Sequence, residues 1–139
     1  MFKHIMMPVD LGHADKLDRA MTVAADLAKH YGADITFVGV TSNAPGSVAR
    51  TPEEYREKLA KLAAAQAELN GIETKSHAVF SHDPAVDLDD KLIEAGKELG
   101  ADLVVMATHL PNMGDMFLPS HGGELARHSD VSVFLVRHV

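Results

Sequence analysis

Hydrophobic positions along this chain alternate between two kinds of run. Residues 4–9 (HIMMPV) form a short apolar stretch closed by Asp10, and residues 35–40 (ITFVGV) form a second, rich in β-branched types, so both read as strands. Residues 72–80 (IETKSHAVF) show partial period-two alternation, as an edge strand would, while residues 102–107 (DLVVMA) and 131–137 (VSVFLVR) complete a set of five. Between the strands the period changes. Leu17, Ala20, Met21, Ala24, Ala25 and Ala28 recur three and four apart, the spacing of a buried helical face, with Gly32 following as a C-terminal cap. A second helix opens on Thr51, Pro52, Glu53 and Glu54, a capping-box signature with proline at the first helical position. Its buried stripe is expected at Tyr55, Leu59, Leu62, Gln66 and Leu69. Ala85, Leu88, Leu92, Gly96 and Leu99 mark a third helix ended by Gly100, and a short fourth covers about residues 120–128, with Ser120 as its N-cap.

Near-continuous apolar runs in the central strands imply burial on both faces, the mark of a parallel sheet covered by helices. The order β-α-β-loop-α-β-α-β-α-β with right-handed crossovers predicts an α/β fold, an open doubly wound sheet. Ligands in such sheets bind at the carboxyl ends of the strands, where the strand order reverses. The loops after Asp10, Val40 and Ala107 are therefore expected to converge on a site. No internal repeat or boundary interrupts the chain, so residues 1–139 are expected to form one domain, with residues 42–50 (SNAPGSVAR) as the longest irregular stretch.

Composition narrows the function classes. Hydrophobic residues at 46% and charged residues at 24% suit one folded core with no disordered tract. Cysteine is absent, which removes disulfides, thiolate metal sites and cysteine nucleophiles. A net charge of −7 with 13 scattered basic residues argues against a nucleic-acid partner, because phosphate-backbone binding draws on clustered Lys and Arg. Residues 1–10 run straight into a strand without the layout of a cleavable signal, and no apolar run is long enough to cross a bilayer, so a cytoplasmic, membrane-free protein is expected.

Three segments carry a family resemblance: the opening IMMPVD, the stretch HDPAVDLDDKLIEAGKELGADLVVMATH, and the ending ARHSDVSVFLVR. Together they resemble the start, middle and end of a universal stress protein, across essentially the whole chain. The resemblance implies a Rossmann-like sheet of the nucleotide α-hydrolase type with five parallel strands in the order 3-2-1-4-5, frequent homodimers, and in many members an ATP site. In ATP-binding members a phosphate loop of the form G-x2-G-x9-G-[ST] follows the fourth strand. Here the three glycines are replaced by Ala107, Leu110 and Pro119, with eight residues between the last two and Ser120 retained. The segment ATHLP…FLPS resembles instead a bacterial subgroup whose loop reads A-[ST]-H-R-P and closes in L-L-G-S. Pro119 is the sharper departure, because proline offers no N–H to a phosphate and fixes φ.

By this resemblance Pro8, Val9 and Asp10 face the nucleotide, with Asp10 near the adenosine and phosphates; read from the residues alone, Asp10 could equally cap the turn at Gly12 and His13. Val38 and Val40 would flank the adenine, the backbone near Val40 meeting the base edge, although both also suit plain core packing. Ala107, Thr108, His109 and Leu110 take the phosphate side, and Ser120, His121 and Gly122 open the last helix, where free amides attract an anion. His82 stands where the family has glycine and reads as a surface histidine. His13, His82, His109 and His121 share one sheet edge with Asp10 and have ligand chemistry for zinc or nickel, yet their spacing matches no ligand motif, so no metal ligands are assigned. Magnesium accompanying a triphosphate, with Asp10 contributing, suits the donor set better.

Met6, Met7 and Met106 are expected in the core, and Met113 and Met116 on the loop after the fourth strand as a lid or partner surface. The last strand is apolar on both faces and is expected at the sheet edge, where Val131, Val133, Phe134, Leu135 and Val136 would pair with a second copy. The expected function is regulatory binding of ATP or AMP. No P-loop lysine motif, serine elbow or SGGxDS-like loop supports turnover. The alternative is a nucleotide-free dimer serving as a scaffold or chaperone-like module for an unknown protein partner.

Overall fold

The helix boundaries at Gly32, Thr51, Gly71 and Gly100 fall where capping chemistry puts them. The computed structural model describes the backbone of residues 1–108 and 119–137, and the side chains of the same residues apart from 119 and 120. Its elements, in chain order, are β1 (His4–Pro8), a 3-10 segment (Leu11–Lys16), α1 (Asp18–Tyr31), β2 (Asp34–Ser42), α2 (Pro52–Asn70), β3 (Thr74–Ser81), α3 (Pro84–Leu99), β4 (Leu103–Thr108), α4 (Pro119–His128) and β5 (Ser132–Arg137). The Thr51 hydroxyl accepts from the Glu54 N–H at 3.1 Å to start α2. Helices α1, α2 and α3 all stop at glycines in the left-handed region, Gly32, Gly71 and Gly100, with φ of 66, 65 and 66°.

The five strands form one parallel sheet in the order β3-β2-β1-β4-β5, as the resemblance implied. Alternate side chains on the strands feed two cores. On one face Ile5, Met7, Val9, Ile35, Phe37 and Val105 pack against α1 and α2; on the other Met6, Val38, Val40, Val104 and Met106 pack against α3 and α4. All of these are buried, which is why the central strands read as unbroken apolar runs.

The expected stripe of α2 needs correction. Tyr55 and Leu59 are buried, but the third buried residue is Ala63; Leu62 and Gln66 are half-buried and Leu69 is 76% exposed. Ten residues on from Leu59, Leu69 has turned about 80° off the buried line at roughly 100° per residue. Ala85 likewise points to solvent in the first turn of α3, whose buried face is Leu88, Leu92, Ala95 and Gly96. Helix α4 begins at Pro119, which puts Ser120 inside its first turn rather than at the N-cap. Among the described residues no helix is long and apolar enough to cross a membrane.

Candidate functional site

Proline in a central strand removes a ladder hydrogen bond, and Pro8 does so at the point where the strand order reverses. Backbone groups of successive strand residues point to opposite neighbours. The Lys3 carbonyl and the Val9 N–H bond to β2, to Asp34 N (3.1 Å) and Val38 O (2.8 Å), whereas the His4 carbonyl bonds to Asp102 N at 3.0 Å, beside β4. The nitrogen of Pro8 therefore faces β4 and has nothing to donate. Pairing of β1 with β4 stops at Met6↔Val104, while pairing with β2 continues to Pro8↔Val38. Beyond Met6↔Val104 β1 and β4 are no longer bonded, and this is the switch point at which such sheets are expected to take a ligand.

Backbone groups of β2 approach from the other side of β1. The Ile35 N–H bonds to Glu73 O next to β3, and the Asp34 N–H to Lys3 O next to β1. By the same alternation the N–H and C=O of Val40 point to the β1 side, two residues past the last β1–β2 pair, Pro8↔Val38. The side chains of Val38 and Val40 are core residues on the α3/α4 face. Ala107 is buried on the α1/α2 face, and Thr108 is fully buried at the end of β4.

Asp10 is held by its own loop. One carboxylate oxygen accepts from the Gly12 N–H at 3.0 Å and the other pairs with His13 Nδ1 at 2.8 Å, capping the 3-10 segment. That is the turn-capping role the sequence left open for this residue. An ionised carboxylate has about four lone-pair sites, so two bonds leave capacity on the same group.

Tyr55 adds a group the sequence reading placed only in a packing stripe. Its hydroxyl lies on the bare Cα of Gly39: a Cβ there would sit 2.2 Å from the tyrosine oxygen. Burial, and secondarily the negative charge of Asp10, push its pKa from 10.0 up to about 12, so the phenol stays protonated. The signal for this contact was in the sequence: a glycine inside the strand ITFVGV marks a close approach.

The residues of α4 divide between packing and polarity. His121 Nδ1 bonds Asp89 of α3 at 2.7 Å, tying the two helices together at the same edge of the sheet. Gly122 is buried because Leu135 of β5 approaches it; a Cβ would lie 2.3 Å from the leucine Cδ2. His109 and Leu110, like Met113 and Met116, lie outside the described residues, as does the Ser120 side chain. His82 is exposed, and His13 and His121 are each committed to an aspartate. Among the described residues no group of three or more His, Asp or Glu is placed to hold a metal ion.

A family model for the universal stress proteins matches residues 1–137. The chain belongs to the universal stress protein family. Universal stress protein G of Shigella flexneri is 26% identical over 147 residues, spanning 99% of this chain and all of the relative. Among solved members of the family, the universal stress protein of Archaeoglobus fulgidus in complex with dAMP superposes with a TM-score of 0.66 at 18% identity, covering 96% of this chain and 97% of that one. A family protein of Arabidopsis thaliana with AMP bound gives a TM-score of 0.66 at 13% identity, covering 99% and 92%. At such identities these structures establish the shared fold.

Proposed function

We propose that this universal stress protein is a regulatory, cytoplasmic, single-domain protein that binds an adenine nucleotide, ATP or AMP, at the carboxyl edge of its sheet. The observation that carries the reading is the end of β1–β4 pairing before Pro8, with the Val40 backbone groups turned to the β1 side and Asp10 at the same edge. Adenine presents a donor and an acceptor on one edge, and an adjacent N–H and C=O of a strand terminus match that pattern. The dAMP and AMP complexes of the two solved relatives support the ligand class. Proline at the first position of α4 withdraws one of the four free amides of that helix terminus and leaves those of the next residues, Ser120, His121 and Gly122, for a phosphate. Magnesium would accompany a triphosphate through the hard oxygens of Asp10. The ATHLP…FLPS segment supports kinship with the short-loop subgroup.

We read binding rather than turnover, since no base and nucleophile are assembled among the described residues. Pairing of two copies through β5 completes the proposal: Phe134 is 44% and Leu135 36% exposed on a strand with one unpaired edge. Phe134→Lys should convert a dimer to a monomer in sedimentation velocity; an unchanged mass at equal concentration rejects this strand as the interface.

One observation favours the nucleotide-free alternative, namely that both oxygens of Asp10 already have partners in its own loop. Calorimetry separates the two. Protein stripped of carry-over ligand, titrated with ATP and magnesium, should give saturable heat that Asp10→Ala weakens roughly tenfold, the loss of about 1.4 kcal/mol. Silence up to millimolar ATP and AMP would instead establish the scaffold reading.

A further inference from the structure

At the opposite end of the sheet from that switch point, a cavity of about 270 Å³ opens between the C-terminal turns of α3 and α4. Met6, Leu92, Val104 and Leu125 give it an apolar floor. Its size lies near the lower limit of small-molecule sites, roughly 300–1,000 Å³, and its composition, apolar walls with a few charges at the rim, is theirs as well.

Gly96 keeps it open. Glycine weakens a helix interior relative to alanine, so a glycine there calls for a reason. Neither of the usual ones applies to Gly96. Its φ is not among the positive ones, and an added Cβ would meet nothing closer than Met6 Cε at 3.8 Å and Sδ at 3.9 Å, ordinary contact distances. Packing within the chain would accept a side chain at this position. The space it leaves belongs to the cavity.

The rim selects a sign of charge. Asp102 and Asp130 line it, against one cation among the described residues, Lys97. Two backbone N–H groups, of Lys3 and His4, bond the Asp102 carboxylate at 2.9 and 3.2 Å, which fixes it in place. The last carbonyls of α3 and α4 end at the same opening and add the negative ends of two helix dipoles. Apolar walls beneath a negative rim fit an amphiphile with a positive head.

We propose that this cavity is a second ligand site, independent of the proposed nucleotide site, for a small organic ammonium ion with an apolar body. The body lies on Met6, Leu92 and Leu125 beside Gly96, and the ammonium group sits at Asp130 and Asp102.

The test is a titration of the full chain with n-hexylammonium, followed by methyl NMR, with hexanoate as the probe of equal length and opposite charge. Saturable shifts confined to the methyls that line the cavity, those of Met6, Leu92, Ile93, Val104, Leu125 and Val131, are expected, with hexanoate weaker by roughly tenfold, one unit of log affinity. Gly96→Leu should abolish the shifts by filling the space. Should that variant fail to fold, Asp130→Lys, a change at an exposed position, decides: the preference must reverse from hexylammonium to hexanoate. Equal response to both probes in the parent chain, absence of saturable shifts in these methyls, or an unaltered preference in Asp130→Lys would overturn the proposal.

Discussion

Gly39 and Gly96 are both glycines inside regular elements, and they do opposite things. At Gly39 the missing side chain is filled by Tyr55, whose hydroxyl occupies the volume a Cβ would need. At Gly96 the missing side chain leaves space that none of the described residues takes up. The first glycine lets α2 close onto β2; the second lines an opening between two helices at the far end of the sheet. Identical composition therefore yields a tight joint in one place and an opening in the other, and the difference lies wholly in what the opposing element presents.

Substitution at the tight joint should give the largest effect. Gly39→Val forces a branched side chain against the tyrosine ring and should lower unfolding free energy by about 3 kcal/mol, the upper part of the overpacking range, in urea denaturation. Gly39→Ala should cost less, and Tyr55→Phe in the same chain should recover part of the loss, because the atom at 2.2 Å is the hydroxyl oxygen. Failure of Tyr55→Phe to help would break the account of the joint.

The second effect is set by pH. The folded Tyr55 ionises near 12 and the unfolded residue near 10.0, so below pH 10 both are neutral and no stability depends on the shift. Between pH 10 and 12 the unfolded chain loses its proton first, and stability should fall with rising pH by up to about 2–3 kcal/mol, at 1.36 kcal/mol per unit. Chemical denaturation across this window should show that slope in the parent chain and a shallower one in Tyr55→Phe.

Smaller changes sharpen the contrast. Gly122→Ala sets a methyl against Leu135, a flexible chain end, and should cost about 1 kcal/mol after the alanine's own helical preference is counted. Gly96→Ala should do the reverse, stabilising by up to about 1 kcal/mol in thermal unfolding, since the helix gains and nothing is displaced. Destabilisation by Gly96→Ala would mean that the two glycines are not different in kind.

The two edge strands show how far the sequence could be read. In β3 the expected alternation is absent: Thr74, Lys75, Ser76 and His77 are consecutive polar residues followed by Ala78, Val79 and Phe80, and polar groups at an edge discourage pairing with another chain. In β5 the run Val133, Phe134, Leu135 and Val136 is continuous, and both strands do lie at edges. The breaks at Gly32 and Gly100 and the start at Thr51 were equally legible, because a cap is a local bargain struck within four residues. The edge at which the strands end was legible, the contacts around it less so. Asp10, Val40 and Ala107 were located at one edge by topology alone, but the engagement of Asp10 by His13 was an open alternative, and Tyr55 was read only as core.

What the sequence determined by itself was the alternation of strands and helices, the capped ends at Gly32, Thr51 and Gly100, and the edge at which β1, β2 and β4 terminate together, since periodicity and capping act over a few residues. Only the tertiary structure decided which side chains meet across that frame. Tyr55 reaches Gly39 from the next element of the chain, and His121 reaches Asp89 across 32 residues, contacts set by how each crossover packs its helix on the sheet. The cavity beside Gly96 has the same origin: the spacing of α3 and α4 is fixed by the strands beneath them, and no local pattern records what that spacing leaves empty.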